Sequence, residues 1–174
     1  PSAGNPTGPG APTGAGGRPG PGNTGVPAGT TLTRRDGNLV ITKAGAVYDR
    51  LDIHGFVIVK APDVTIRRSI IRGGQTTRNT GLVMVTDANA RNFLLDSSEL
   101  VPEYPSVHLN AIKGWNYTLR RVNAHGTVDI AEVYGDNVRI ESSWLHGNTP
   151  YASDPNQHGG PSHGTGTSQV GGTG

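Results

Sequence analysis

Cysteine is absent from the 174 residues, which excludes disulfides and cysteine-based metal sites. No apolar run approaches the roughly 18–20 residues of a membrane-spanning helix, so we expect no membrane span. The net charge is only +2, with no run of like charges. Because nucleic-acid-binding proteins usually carry a basic stripe, we expect no nucleic-acid partner.

Proline and glycine, by contrast, are abundant and unevenly distributed. Residues 1–30 contain seven prolines and ten glycines. Such a segment has too little apolar surface to offset the entropy lost on ordering. We therefore predict that residues 1–22 are a linker or tail, joined to something upstream, and that residues 23–174 are one domain.

Five segments of the chain follow one template. Residues at one, three and eight positions beyond a common zero position are apolar or aromatic. Serine occurs at plus six in three segments, and glycine at plus ten in four. The zero positions are Gly45, Asp63, Asn92, Asn116 and Asn137.

The spacings between these zero positions are 18, 29, 24 and 21 residues. Alternation at plus one and plus three is the strand period, and no segment shows a useful helical period. Stacked coils bury one apolar column that no single coil could bury alone. We therefore predict an all-β, right-handed parallel β-helix of about five to six coils. Because no capping element follows, we expect an incomplete last coil, with more coils or another copy in a homo-oligomer covering that end.

The template also predicts three columns of polar side chains. Asp or Asn at position zero should form a hydrogen-bonded ladder at a tight turn. Ser69, Ser98 and Ser143 should bond along the stack. At plus four the charge alternates, which predicts cross-coil ion pairs along one outer face between Asp49, Arg67, Asp96, Arg120 and Glu141.

The segments "PDVTIRRSIIRGG", "ARNFLLDSSEL", "WNYTLRRVNAHG" and "GDNVRIESSWLHG" resemble coils of the pectate-lyase-like superfamily. The upstream "PGPGNTGVPAGTTL" resembles the start of secreted right-handed β-helix proteins of actinobacterial type. The resemblance covers about residues 20–174. It implies an extracellular or surface location, contact with polysaccharide and, if the protein is an enzyme, lyase chemistry with calcium as a possible cofactor.

Three long insertions, at residues 74–80, 101–107 and 148–162, occupy the same place in the template, so we expect them to project from one corner. Ligands of β-helix proteins usually lie along an outer sheet face beside such loops. Tyrosines in these loops could stack on sugar rings, and Trp144 should face outward. The predicted substrate-binding residues near this corner are Arg72, Tyr104, His108, His125, Asp129, His146, Tyr151 and His163.

Several alternatives remain open at this stage. His125 and His146, with His54 as an additional candidate, could be a stacked surface column, or the first two could join Asp129 in a zinc site. Arg72 or Arg121 could serve as a lyase base only if strongly perturbed. No complete catalytic set is visible, and paired glycosidase carboxylates are disfavoured. The main alternative function is a non-enzymatic structural or adhesive β-helix, such as a surface stalk or phage spike.

Overall fold

A computed structural model describes residues 17–164 and 166–169, which form a parallel β-helix. Its elements are short strands and one 3-10 helix. The strands are β1 Thr33–Asp36, β2 Leu39–Ile41, β3 Val47–Asp49, β4 Leu51–His54, β5 Val57–Val59, β6 Thr65–Arg67, β7 Ile70–Ile71, β8 Thr80–Val85, β9 Phe93–Asp96, β10 Glu99–Leu100, β11 Leu109–Gly114, β12 Tyr117–Arg120, β13 Asn123–Ala124, β14 Ala131–Val133, β15 Val138–Glu141, β16 Trp144–Leu145 and β17 Thr167–Gln169. The 3-10 helix is Pro155–Gln157.

Each coil passes through three parallel sheets in a fixed order. Sheet A stacks β1, β4, β7, β10, β13 and β16, and sheet B stacks β2, β5, β8, β11, β14 and β17. Sheet C stacks β3, β6, β9, β12 and β15. The chain runs from sheet C to sheet A to sheet B and then into the next coil. The predicted parallel β-helix is confirmed, and β17 pairs with β14 as the predicted strand of a further coil.

Two tight corners in each coil depend on residues in the left-handed backbone region. The zero position has φ between 57° and 70° in all five coils. Asn, Asp and Gly tolerate this region best, which explains their occurrence there. Position plus five has φ between 46° and 56°, although it carries only Arg or Ser. The sequence therefore indicated the corner between sheets B and C but not the one between sheets C and A.

The interior is a column of apolar side chains at the template positions. Ile66, Leu95 and Leu119, at plus three of the middle coils, are fully buried. Val138 and Ile140, at plus one and plus three of the last template coil, are only partly buried. The predicted core positions are thus correct, and burial is completed only where coils lie on both sides.

The serine column satisfies backbone groups that the left-handed corner turns out of the strand ladder. The amides of Leu51, Ser69 and Val122 donate to the hydroxyls of the next coil, Ser69, Ser98 and Ser143, at 3.1, 3.1 and 3.0 Å. Each hydroxyl donates in turn to the carbonyl two residues before it. The predicted column forms, but its hydroxyls bond to backbone rather than to one another.

The charge ladder on the outer face of sheet C is correct in register and partly wrong in pairing. Asp49 Oδ2 lies 3.3 Å from Arg67 Nε, and Asp96 Oδ2 lies 3.0 Å from Arg120 Nη2, as predicted. Arg67 and Asp96 share a register position but, among the described residues, form no ion pair with each other. The reason is that each aspartate forms ion pairs with two arginines of the following coil, at plus four and plus five. The partners at plus five are Arg68 for Asp49 and Arg121 for Asp96.

The last predicted pair of the ladder, Arg120 with Glu141, does not form as a salt bridge in the described chain, although the two residues are register partners. Glu141 contacts Arg139 of its own strand at 3.4 Å instead. The alternating ladder is therefore two separate clusters centred on Asp49 and Asp96.

The chain before β1 lies against the outside of the coils. Gly25 donates its amide to the carbonyl of Arg121 at 2.9 Å, and Thr24 is 8% exposed. Residues 17–22, which we had predicted as tail, form turns in which the Gly20 carbonyl accepts the amides of Asn23 and Thr24. The rest of that predicted tail lies outside the described residues. No helix in the described part of the chain is long and apolar enough to cross a membrane.

Candidate functional site

The outer face of sheet A carries a row of polar and aromatic side chains, which we call the sheet A strip. Positions plus seven and plus nine point outward because plus six and plus eight point into the core. Register pairing aligns them along the helix axis. The strip consists of Asp52, His54, Ile70, Arg72, Glu99, Val101, Asn123, His125, Trp144 and His146.

The N-terminal half of the strip is an ion-pair network. Arg72 Nε lies 2.6 Å from Asp52 Oδ1, and His54 Nε2 lies 3.3 Å from Asp52 Oδ2. Burial alone would raise the pKa of Asp52, but the hydrogen bond and charge of Arg72 together with His54 lower it overall. Arg72 is thus already paired, which weighs against the alternative in which it acts as a base.

Glu103 ties one corner loop to this network. Its carboxylate Oε2 lies 2.8 Å from His54 Nδ1, and its amide donates to the Arg72 carbonyl at 2.9 Å. Because Glu103 follows β10 while His54 ends β4, the contact spans three coils. The loop that contains Tyr104 is therefore fixed at its base.

The C-terminal half of the strip is a stack of rings. Trp144 and His146 have ring centroids 3.5 Å apart, and His125 and His146 have centroids 5.1 Å apart. His125 Nε2 lies 2.7 Å from a Glu99 oxygen, and His146 Nε2 lies 2.8 Å from Asn123 Oδ1. Burial, then the charge of His125, lowers the pKa of His146, which favours its neutral form. The predicted stacking of His125 and His146 is confirmed.

The corner loops project from the junction of sheets A and B, as predicted. They occupy residues 72–79, 101–108 and 146–164. The first two enclose an open pocket of about 630 Å³, which we call the loop pocket. Tyr104 is 45% exposed there. The pocket is lined by Gln75, Thr76, Thr77, Arg78, Tyr104, Pro105 and Ser106.

The guanidinium of Arg78 has no partner among the described residues, whereas Arg72, the arginine of the sheet A strip, is neutralised by Asp52. Around it lie short hydroxyl and amide side chains, and the Thr76 hydroxyl bonds the backbone of Arg78. A pocket lined by an uncompensated cation and by an exposed aromatic ring can bind an anionic group on a compact, partly apolar ligand.

The other predicted site residues lie apart from the strip. His108 precedes β11, and its Nδ1 is buried without a partner in the described chain. Tyr151 is partly buried in the third loop, and this burial raises its pKa. His163 is exposed near the end of that loop. Asp129 precedes β14, and its carbonyl accepts the Ala111 amide. Of the eight predicted residues, Arg72, His125 and His146 belong to the strip, and Tyr104 belongs to the loop pocket.

A second polar cluster on the outer face of sheet B was not predicted. Lys113 Nζ lies 2.7 Å from Glu132 and 3.0 Å from the side-chain oxygen of Asn79. The Tyr134 hydroxyl and the Asn110 amide donate to the same Glu132 carboxylate. Lys113 is only 4% exposed and well bonded, so the cluster anchors Asn79 at the base of a corner loop. Lys113 and Glu132 are register partners in neighbouring strands, and their opposite charges were the available indication.

The described residues contain no group of three or more His, Cys, Asp or Glu side chains placed to hold a metal ion. The zinc alternative built on His125, His146 and Asp129 is therefore not supported. The two histidines contact Glu99 and Asn123 instead.

Comparison with protein-family models, with curated proteins and with solved structures gives no match for this chain. The functional interpretation therefore depends on the geometry of the strip and the loop pocket.

Proposed function

We propose that this protein is an extracellular β-helix module that binds an acidic polysaccharide in the loop pocket and along the adjoining sheet A strip. The resemblance of its coils to the pectate-lyase-like superfamily supports the same ligand class. The single observation that carries the proposal is that one pocket is lined both by Arg78, whose guanidinium has no partner among the described residues, and by the exposed aromatic ring of Tyr104.

The chemistry of an acidic glycan matches these two groups. A uronate residue has a carboxylate, which forms charge-assisted hydrogen bonds with a guanidinium. One face of its ring is formed by C–H groups, which pack on an aromatic side chain. Gln75, Thr76 and Ser106 supply amide and hydroxyl groups for the remaining sugar hydroxyls.

The strip extends the surface along the helix axis beyond the pocket. Trp144 is partly exposed and stacks on His146, so it offers a second aromatic contact. Glu103 and Arg72 connect the corner loop to the strip through a backbone hydrogen bond. A chain of several sugar units could therefore follow one continuous surface.

Binding is favoured over cleavage by the state of the candidate bases. Arg72 is paired with Asp52, and Arg121 donates to Asp96 at 2.8 Å. A lyase needs a base that removes the proton next to the uronate carboxylate, and both arginines are committed to ion pairs. The proposal is therefore a binding module, with lyase activity tested as a separate outcome.

The test is titration calorimetry with oligosaccharides of polygalacturonate and alginate, and with neutral glucans for comparison. Hydrogen bonds to charged groups contribute about 1.5–3 kcal/mol, so Arg78→Gln should weaken uronate binding roughly tenfold to hundredfold. Tyr104→Ala should weaken it as well. The matched control is Arg35→Gln, because Arg35 is an exposed arginine on the N-terminal edge strand and has no partner within the part of the chain that the structure describes.

Equal affinity of the Arg78→Gln and Arg35→Gln variants would overturn the proposed site. Absence of binding to every polyuronate would favour the structural or adhesive alternative. In the same samples, absorbance of an unsaturated product, measured with and without calcium, would reveal lyase activity.

A further inference from the structure

A second depression lies where sheet B turns into sheet C, at a corner opposite the loop pocket across sheet B. Its volume is about 520 Å³, and we call it the ladder notch. It spans three successive coils at and beside their zero positions. The lining residues are Arg91, Asn92, Asn116, Tyr117, Thr118, Asn137, Val138 and Arg139.

The ladder notch coincides with a break in the predicted amide ladder. Asn92 donates to Asp63 at 3.0 Å, and Asn137 donates to Asn116 at 2.9 Å. The hydrogen bond that would join these two, from the Asn116 side-chain amide to Asn92, does not form within the described residues. Asn116 therefore uses its amide oxygen inside the ladder and keeps its Nδ2 donors available to a ligand.

Both charged residues that line the notch are arginines, and among the described residues only one of them has an acidic partner. Arg91 has no partner among the described residues, and Arg139 is 72% exposed with one 3.4 Å contact to Glu141. None of the eight lining residues is acidic. The arginines elsewhere on sheet C differ, because Asp49 and Asp96 neutralise them.

We propose that the ladder notch binds an oxyanion, a carboxylate or a sulfate group of a sugar, through Arg91, Arg139 and the free amide of Asn116. Guanidinium and amide N–H groups are donors only, and together they match a group whose oxygens only accept. Thr118 also lines the notch, and its hydroxyl is a further donor. This site does not depend on the loop pocket, since the two share no residue.

The direct test is a titration of the isotope-labelled protein with inorganic sulfate, followed by NMR. Sodium chloride of matched ionic strength is the comparison, because general screening affects every exposed charge. We expect saturable shifts of the Asn116 side-chain amide and of the Arg91 and Arg139 Nε resonances. A linear response up to the highest sulfate concentration would overturn the proposal.

Two variants make the assignment specific. Arg91→Gln should weaken sulfate binding at least about tenfold, since a charge-assisted hydrogen bond is lost. Asn116→Asp should abolish binding while keeping the fold, because Asp63 already occupies a zero position with φ of 58° and accepts a ladder hydrogen bond. It retains the acceptor for Asn137 and replaces the free donor with a negative charge.

The controls separate this site from the proposed polysaccharide site. Arg78→Gln and Arg35→Gln should leave the sulfate-induced shifts at the notch unchanged. Loss of uronate binding at the loop pocket and loss of sulfate binding at the notch can therefore be measured separately. Glucuronate and glucose 6-sulfate then distinguish the two sources of the oxyanion: saturable shifts with either one identify the group bound. Equal weakening by Arg35→Gln and Arg91→Gln would show diffuse charge attraction and refute the site.

Discussion

Tyr117 provides a quantitative test of the core. Its side chain is 1% exposed at plus one of the fourth template coil, and its hydroxyl has no partner in the described chain. Burial raises the pKa of this phenol, as expected for a hydroxyl in an apolar column. The equivalent residue of the coil below is Phe93, so phenylalanine fits this position.

The magnitude for Tyr117→Phe follows from two opposing effects. An unbonded buried hydroxyl costs about 1–3 kcal/mol by protein mutational data. Removing its oxygen also loses a few packing contacts of about 0.1–0.2 kcal/mol each. We therefore expect Tyr117→Phe to raise the free energy of unfolding by about 0.5–2 kcal/mol.

The assay is chemical denaturation, in which the midpoint should rise with an unchanged slope. Tyr134→Phe is the matched control, because the Tyr134 hydroxyl donates to Glu132 at 2.8 Å. Its loss should lower the free energy of unfolding by about 0.5–3 kcal/mol. If Tyr117→Phe were destabilising by a similar amount, the Tyr117 hydroxyl would have a hydrogen-bond partner. The description of the core as an apolar column around an unbonded hydroxyl would then be wrong.

Three further predictions concern the same stack. Leu119→Asp should prevent cooperative folding, since an unpaired buried charge costs several kcal/mol against a total stability of about 5–15 kcal/mol. Thermal unfolding followed by circular dichroism measures this, and an unchanged melting curve would contradict the coil assignment. Asp96→Asn should cost about 1.5–3 kcal/mol through lost arginine hydrogen bonds, whereas Glu141→Gln, which lacks a cross-coil pair in the described chain, should change stability by less than about 0.5 kcal/mol. The pKa of Asp49 is lowered chiefly by the Arg68 hydrogen bond, and that of Asp96 is lowered because its arginine and Ser97 hydrogen bonds outweigh burial. The unfolded chain therefore binds protons more readily, and stability should fall as the pH drops below about 4; equal melting temperatures at pH 3 and pH 6 would contradict this.

The fold was predictable because every coil repeats the same physical constraint. A column buried from both sides admits only apolar residues at fixed positions, and a left-handed corner admits few residue types at position zero. Position plus five escaped prediction because Arg and Ser rarely adopt that conformation on their own and do so here because the surrounding coil imposes it. Such a position has no residue preference that a sequence pattern can reveal.

The candidate site was less predictable because loop paths decide it. Tyr104 was expected in a corner loop, but the contact of Glu103 with His54 joins residues 49 positions apart. Two of the four predicted ion pairs of the ladder are wrong for a related reason: register alone could not show that Arg68 and Arg121, beyond the corner, reach back to the aspartates. Side-chain reach around a bend depends on backbone geometry that no spacing rule contains.

The arginines left unpaired in the described chain lie at particular places in the structure. In the stacked coils most guanidinium groups have a carboxylate within 4.0 Å, at Asp49, Asp52, Asp96 or Glu141. The unpaired arginines of the described chain are Arg18, Arg35, Arg78 and Arg91. Arg18 lies in the docked N-terminal segment and Arg35 on an edge strand, outside the repeated coils. The other two line the loop pocket and the ladder notch. Since fixed coil spacing lets a solenoid neutralise its arginines easily, we propose that an uncompensated arginine beside a depression obtains its counter-charge from a ligand.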